Sequence, residues 1–310
     1  MILSTAALLA GLGLLAVAAD QLVIGAARLA VSLRVSAVVI GALVVGVGTS
    51  APEVLISVLA AAEGAVGIAA GNLVGSNIAN VALVAAVAAL VAPLTVSSHT
   101  LRRQASLSAL AVIAFAAALQ VGLSRAAGVL LLVSAALAVG WIIRSSEPLA
   151  EIPIDETQAP AGTGVRREAI RTAIALVGTG AGAQLVIAGA EGIASATGLD
   201  DGFVGLTVVA VGTSLPELVT AVQAARRSQP DLVVGNVLGS NIFNSLLAGG
   251  LIGVIAPGRV SDPQIAGPAT AAMVAVALLT WLLLATGRKL TRWEAALLLA
   301  GYAVLLPLLA

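Results

Sequence analysis

The chain has 310 residues, of which 60% are hydrophobic and 10% are charged, and its mean hydropathy is +1.11. Soluble domains carry about 25% charged residues, so this composition excludes a water-soluble globule and indicates an all-α polytopic membrane protein. The formal net charge of zero argues against a nucleic-acid partner, and the lack of cysteine excludes disulfides and thiolate metal sites.

Ten apolar runs that could each cross a bilayer follow one another along the chain. A span needs about 20 apolar residues, and the runs are separated by clusters of charge or proline. The first run lacks a basic start and continues beyond the core length of a signal peptide, so we predict a retained span. The predicted spans are 3–27, 35–61, 66–91, 105–122, 127–143, 170–194, 203–225, 232–255, 265–286 and 293–309.

The basic residues predict the orientation of these spans. Of the 15 Lys and Arg residues, all but Arg125 and Arg259 fall in alternate connections, and basic connections stay in the cytoplasm. Both termini are therefore predicted to be extracytoplasmic and the connection 144–169 to be cytoplasmic. Because chains below about 40 residues rarely fold alone, we interpret this connection as a linker between two halves, residues 1–143 and 170–310.

Two motifs occur once in each half. The first is Gly-Thr-Ser-x-Pro-Glu at 48–53 and 212–217, and the second is Gly-Asn-x-x-Gly-Ser-Asn-Ile-x-Asn at 71–80 and 235–244. Both recur at an offset of 164 residues, which indicates one internal repeat. Each half holds five predicted spans, an odd number, so the halves are expected to have opposite orientations. Inverted five-helix repeats are typical of secondary transporters, whose sites lie at the repeat interface near mid-bilayer.

The first motif places a proline and a carboxylate inside an apolar span. Proline removes an amide donor and clashes with the carbonyl four residues earlier, so Pro52 and Pro216 predict a kink and a freed carbonyl in each copy. Two hydroxyl residues precede each glutamate by four and three positions, which predicts a shared helical face. These residues are Thr49, Ser50 and Glu53 in one copy and Thr213, Ser214 and Glu217 in the other.

The second motif adds a serine and an asparagine four residues apart on a neighbouring span, Ser76 and Asn80 in one half and Ser240 and Asn244 in the other. Carboxylate, hydroxyl, amide and carbonyl oxygens are thus predicted to converge. An all-oxygen set suits hard cations such as calcium or sodium rather than zinc or copper. A protonated glutamate that only bonds a neighbouring helix is the structural alternative, although intramembrane carboxylates are usually functional. Asp20 lacks a counterpart, since residue 183 is Ala, and we interpret it as structural or gating.

At these motifs the chain resembles the cation/calcium exchanger superfamily, most closely the prokaryotic sodium/calcium exchangers, which have ten helices in two inverted alpha repeats. The repeats correspond here to residues 46–80 and 210–244. The resemblance implies that Glu53 and Glu217 are central ligands shared by calcium and sodium. It implies further ligands in Thr49, Ser50, Ser76, Asn80, Thr213, Ser214, Ser240 and Asn244, and in the backbone carbonyls of Gly46 and Ala210.

One residue departs from that pattern. Several relatives carry Asp where this chain has Asn244, and an amide keeps one oxygen ligand but cannot carry charge or titrate. The resemblance therefore leaves both the ion stoichiometry and the choice between sodium and protons as counter-ion open.

The sequence thus predicts an antiporter rather than an enzyme, exporting calcium against sodium by alternating access. By resemblance, the first and sixth spans form the moving pair. The alternatives are a calcium/proton antiporter on the same scaffold, a cation channel and a non-transporting scaffold. The transported ions and the bilayer are the expected partners, without a cofactor or an obligatory protein partner. One Lys against 14 Arg is typical of a GC-rich prokaryotic genome, so we expect the plasma membrane as the location.

Overall fold

A computed structural model of the protein describes residues 2–144, 164–197 and 210–309. Within these ranges the chain is almost entirely helical. The helices are α1 (Ile2–Leu33), α2 (Ala37–Thr49), α3 (Ala51–Ala62), α4 (Val66–Val91), α5 (Arg102–Val121), α6 (Arg125–Arg144), α7 (Val165–Thr197), α8 (Ala210–Thr213), α9 (Leu215–Arg226), α10 (Pro230–Ile255), α11 (Ile265–Gly287) and α12 (Arg292–Leu309). A short helical turn, Ser98–Thr100, precedes α5, and two short strands are β1 (Leu94–Thr95) and β2 (Lys289–Leu290).

Seven of the described helices are long and apolar enough to cross a bilayer, and the bent pair α2 and α3 raises this number to as many as eight. The other two predicted spans are 203–225, whose residues 203–209 lie outside the described residues, and 293–309, which corresponds to α12. Most of the predicted linker 144–169 also lies outside them. The protein is therefore a multi-helix membrane protein, and the number ten remains a prediction.

The two longest helices, α1 and α7, pack along each other in opposite directions. Gly182 lies against Leu15, and Gly25 lies against Thr172, so residue numbers rise along one helix as they fall along the other. A β carbon on Gly182 would lie 2.7 Å from the backbone nitrogen of Leu15. Glycine thus allows the close approach of these two helices, which an ion pair between Arg28 and Glu168 at 4.0 Å also joins.

Helices α4 and α10 cross in the most buried part of the molecule. Asn77 bonds Ser245 and Asn80 bonds Asn241, so these two helices are also antiparallel. Helix α2 packs closely on α10, because a β carbon on Gly239 would lie only 2.5 Å from the Cα of Ala42. Small residues therefore bring the polar groups of both halves together at the centre.

The connections at each end of the bundle contact one another. Strand β1 pairs with β2 in an antiparallel register, and Arg292 donates to backbone carbonyls at the end of α4. At the opposite end, Leu123 pairs with Gly258 through backbone hydrogen bonds. Each contact joins the two halves of the chain, and each lies among connections that the basic residues assign to one side.

Asp20 in α1 forms an ion pair with Arg227, which follows α9. The guanidinium donates through Nε and Nη2 to the two carboxylate oxygens at 2.7 and 2.8 Å. This bonding raises the pKa of Arg227, so the guanidinium stays charged. Asp20 therefore connects the long α1–α7 pair to the helix that carries Glu217.

We expect Gly182→Ala to weaken the contact between α1 and α7, because the added methyl group would collide with the Leu15 backbone. Overpacking of this kind costs about 1–3 kcal/mol, which a lower melting temperature of the detergent-solubilised protein would register. Gly180→Ala is the matched control, since no described atom lies within 4 Å of its added methyl group. Equal melting temperatures for the two variants would contradict this packing.

Candidate cation site

The first motif interrupts its helix in both halves. Between α2 and α3, Ser50 has φ −82° and ψ 4°, and between α8 and α9, Ser214 has φ −88° and ψ 5°. The axes of α2 and α3 differ by 47°, which confirms the kink predicted at Pro52. Each break starts a new helix with a glutamate in its first turn, where backbone N–H groups favour negative charge.

The predicted polar side chains are buried in the protein. Each exposes 5% or less of its surface, so none of them is an ordinary solvated residue. They are Thr49, Ser50, Glu53, Ser76, Asn80, Thr213, Ser214, Glu217, Ser240 and Asn244.

Hydrogen bonds bring the motifs of the two halves into one pocket. The hydroxyl of Ser50 donates to Oε1 of Glu217 at 2.9 Å, and the hydroxyl of Ser240 donates to the Gly46 carbonyl at 3.3 Å. The Thr49 hydroxyl lies 3.2 Å from Oδ1 of Asn236 in the second half. Residues separated by about half the chain therefore form a single site at the interface of the halves.

The local geometry differs from the shared helical face predicted for Thr49, Ser50 and Glu53. Because the helix breaks at Ser50, its side chain contacts Glu217 of the other half. Thr49 lies 3.0 Å from the carbonyl of Val45, four residues earlier on its own helix. The break thus directs the hydroxyls across the interface.

The two predicted backbone ligands occupy different environments. The Gly46 carbonyl accepts from the Ser50 amide at 3.1 Å and from the Ser240 hydroxyl, so protein groups already use it. The backbone of Ala210 forms the start of α8, and its side chain lies outside the described residues. Ser76 lies one turn before Asn80 on α4.

The helices widen where the predicted asparagine ligands lie. Asn80 begins a π-helical segment, Asn80–Ala85, and Asn244 lies in a second one, Phe243–Ala248. Such segments are rare and occur frequently at functional sites. Both central helices therefore depart from regular geometry at the same place in the repeat.

Further asparagines of the second motif take part, although the motif analysis did not single them out. Asn72 donates to the carbonyl of Glu53 at 3.0 Å and to the hydroxyl of Ser57 at 2.8 Å. The signal that could have found such residues is their identity in both halves, as Asn72 and Asn236 and as Asn77 and Asn241.

Several buried polar atoms of the site have no hydrogen-bond partner among the described residues. They include Oε2 of Glu53, Oε2 of Glu217, Oγ of Ser214 and both amide atoms of Asn244. The carboxyl groups of Glu53 and Glu217 belong to the same polar cluster, because Ser50, three residues before Glu53, bonds Glu217. A buried group without a partner costs about 1–3 kcal/mol, and a charged one costs more, so a bound cation would stabilise this arrangement.

The donor set determines which cations fit. No group of three His, Cys, Asp or Glu side chains that could hold a metal occurs in the part of the chain that the structure describes. The site instead offers two carboxylates surrounded by hydroxyl, amide and carbonyl oxygens. Hard cations such as calcium and sodium prefer these ligands, whereas zinc and copper prefer nitrogen and sulfur.

Known proteins are similar to this chain in sequence, and a solved structure is similar to it in fold. CaxA of Alkalimonas amylolytica is 37% identical over 97% of each chain. The inner membrane protein YrbG of Escherichia coli is 35% identical over 85% of this chain and 83% of its own. The solved structure of the sodium/calcium exchanger from Methanococcus jannaschii is 33% identical, with a TM-score of 0.87 over 99% of this chain and 98% of that one.

The family profile described as sodium/calcium exchanger protein matches residues 3–144 and 169–309, so it includes both copies of each motif. With this match across both halves and a relative 37% identical over nearly the full length, the chain belongs to the sodium/calcium exchanger family of membrane transporters.

Proposed function

We propose that the protein exchanges calcium for sodium across the membrane by alternating access around Glu53 and Glu217. One observation carries this proposal: both halves form a single buried pocket, in which Ser50 bonds Glu217 and a carboxylate oxygen of each glutamate lacks a partner among the described residues. The family and its solved relative are named for these two ions. The proposed ligands are Glu53, Glu217, Thr49, Ser50, Ser76, Asn80, Thr213, Ser214, Ser240, Asn244, and the carbonyls of Gly46 and Ala210.

The proposed architecture is ten spans in two inverted five-helix repeats, residues 1–143 and 170–310, with a cytoplasmic linker at 144–169. The antiparallel packing of α1 on α7 supports it, because these helices occupy equivalent positions in the two halves. The antiparallel crossing of α4 and α10 supports it in the same way. The basic connections place both termini outside the cytoplasm in this arrangement, in the plasma membrane of a prokaryote.

Mutual exclusion at one pocket couples the two ions. Calcium takes six to eight oxygens at about 2.3–2.6 Å, and two glutamates neutralise its charge. Sodium ions can neutralise the same carboxylates, but they cannot share the pocket with calcium. Since an empty pocket leaves buried carboxyl oxygens without partners, the protein changes conformation readily only when a cation load is present.

The helix pair α1 and α7 is the proposed moving part. Glycine contacts hold the two helices to each other along their lengths. Their connection to the rest of the molecule includes the Asp20–Arg227 ion pair, which is partly exposed. Exposed ion pairs contribute about 0–1 kcal/mol, so this pair can break and reform during a transport cycle.

Replacing either glutamate with glutamine should abolish exchange, because the amide keeps the shape of the side chain but removes its charge. We expect calcium-45 uptake into sodium-loaded proteoliposomes to fall about 100-fold or more, the equivalent of ~3 kcal/mol lost at a buried charge pair. Glu63→Gln is the matched control, since Glu63 is an exposed carboxylate at the end of α3. Normal uptake by Glu53→Gln and Glu217→Gln would mean that the site lies elsewhere.

Sodium, rather than protons, should drive calcium movement. We expect calcium uptake to require sodium inside the proteoliposomes and to be absent when only a pH gradient is imposed. Asn244 makes this experiment necessary, because an uncharged amide at that position leaves only two carboxylates to balance the ions. Uptake driven by a pH gradient without sodium would identify a calcium/proton antiporter, and conduction without a counter-ion would identify a channel.

Ser50→Ala should weaken calcium binding, because it removes the hydroxyl that donates to Glu217 across the interface. Hydrogen bonds to charged groups contribute about 1.5–3 kcal/mol, so the KM for calcium should rise about tenfold or more. Thr280→Val serves as the control, since its buried hydroxyl on α11 lacks a described partner and lies outside the proposed ligand set. An unchanged KM for Ser50→Ala would remove Ser50 from the site.

A further inference from the structure

A chain of buried asparagines connects α4 and α10 beside the proposed ligands. The side-chain NH2 of Asn80 donates to Oδ1 of Asn241 at 3.1 Å. The NH2 of Asn241 donates in turn to the backbone carbonyl of Asn77 at 3.4 Å. Since the oxygen and the NH2 group of the Asn241 side chain each form a hydrogen bond, the orientation of this amide is fixed.

The orientation of the Asn241 amide determines the orientation of the Asn80 amide. An amide has its donor and acceptor on opposite arms of one plane, so an Asn80 whose NH2 bonds Asn241 must direct its oxygen away from Asn241. The amide oxygen is the atom that a cation can use. Asn241 therefore selects the ligating orientation of Asn80 without being a proposed ligand itself.

The repeat places Asn77 in the position equivalent to Asn241, and Asn244 in the position equivalent to Asn80. The NH2 of Asn77 donates to the hydroxyl of Ser245 at 3.1 Å and faces the sulfur of Met273 at 3.4 Å. A thioether sulfur accepts but never donates, so Met273 fixes which arm of the Asn77 amide faces it. Oδ1 of Asn77 is thereby held on the other arm.

The second pair of equivalent residues, Asn77 and Asn244, has an unpaired acceptor on Asn77 and an unpaired amide on Asn244 among the described residues. Oδ1 of Asn77 and the amide of Asn244 are buried and lack hydrogen-bond partners among the described residues. Asn77 contacts residues 241 and 245, which flank Asn244 in the sequence. The two groups are not bonded to each other in this structure, so their pairing requires a small shift that brings the Asn244 amide to Oδ1 of Asn77.

We propose that Asn241 is a positioning residue that holds the amide of Asn80 with its oxygen towards the transported cation, and that Asn77 takes the equivalent role for Asn244 when the cation is bound. Met273 secures Asn77 in the required orientation. This inference rests on the proposed function, because it concerns how the same site selects its ions. It also gives a physical role to the amide at position 244, as a donor to Asn77 in the proposed cation-bound arrangement.

The test is a pair of double-mutant cycles read out as the KM for calcium in sodium-loaded proteoliposomes. Loss of one orienting hydrogen bond should raise the KM about tenfold in Asn241→Ala and Asn77→Ala, with the maximal rate changed less than about twofold. Asn241→Ala should have no further effect in an Asn80→Ala background, and Asn77→Ala none in Asn244→Ala. The crossed combination, Asn241→Ala with Asn244→Ala, should be additive.

One conservative variant keeps the test informative if an alanine variant does not fold. Met273→Leu keeps the apolar volume but removes the sulfur that faces the Asn77 amide, so it should raise the KM. Calcium-dependent increases in melting temperature provide a second measure of affinity. Additive effects in both cycles, or an unchanged KM in Met273→Leu, would overturn the positioning role. Wild-type protein that neither binds nor exchanges calcium would instead overturn the proposed function.

Discussion

Two carboxylates buried in one polar cluster of an apolar bundle are the constraint on which the rest of the structure depends. Glu53 and Glu217 each retain an oxygen without a partner among the described residues, and burial of such groups is costly unless charge and hydrogen bonds compensate. The surrounding helices satisfy part of this demand through the Ser50 hydroxyl and the helix breaks. They leave the remainder unsatisfied among the described residues, and a cation at the proposed site would supply it.

Small residues make this arrangement possible. Glycines in α2 and α10 allow their backbones to approach closely enough for Thr49 to reach Asn236 and for Ser240 to reach the Gly46 carbonyl. Larger side chains would separate these helices and break the hydrogen bonds between the halves. The glycine contacts of α1 with α7 perform a different task, because they join two apolar helices outside the site. Packing thus separates a polar centre from the helix pair that we propose to move.

The sequence predicts which residues lie in the candidate site better than it predicts the contacts between them. Glu53 and Glu217 could be identified because each motif recurs at one offset, and a carboxylate in an apolar run has few structural uses. The direction in which the Ser50 side chain points could not be predicted, because helical spacing favours contact with Glu53 and the break at Ser50 changes the geometry. The Asp20–Arg227 ion pair could not be predicted either, because no local sequence pattern relates the two residues. Residues 203–209, in the seventh predicted span, lie outside the described residues.

The two halves share a sequence pattern but not a hydrogen-bond network. Asn72 donates to Ser57 and to the Glu53 carbonyl, whereas its counterpart Asn236 accepts from Thr49 of the other half. One cause lies in the sequence, since the position equivalent to Ser57 is Ala221, which has no hydroxyl. In an inverted repeat that alternates between two openings, a conformational change exchanges the environments of equivalent residues. Because Ser57 has no polar equivalent, such an exchange would not conserve the hydrogen bonds, so under the proposed mechanism the two openings would differ in free energy even before an ion binds.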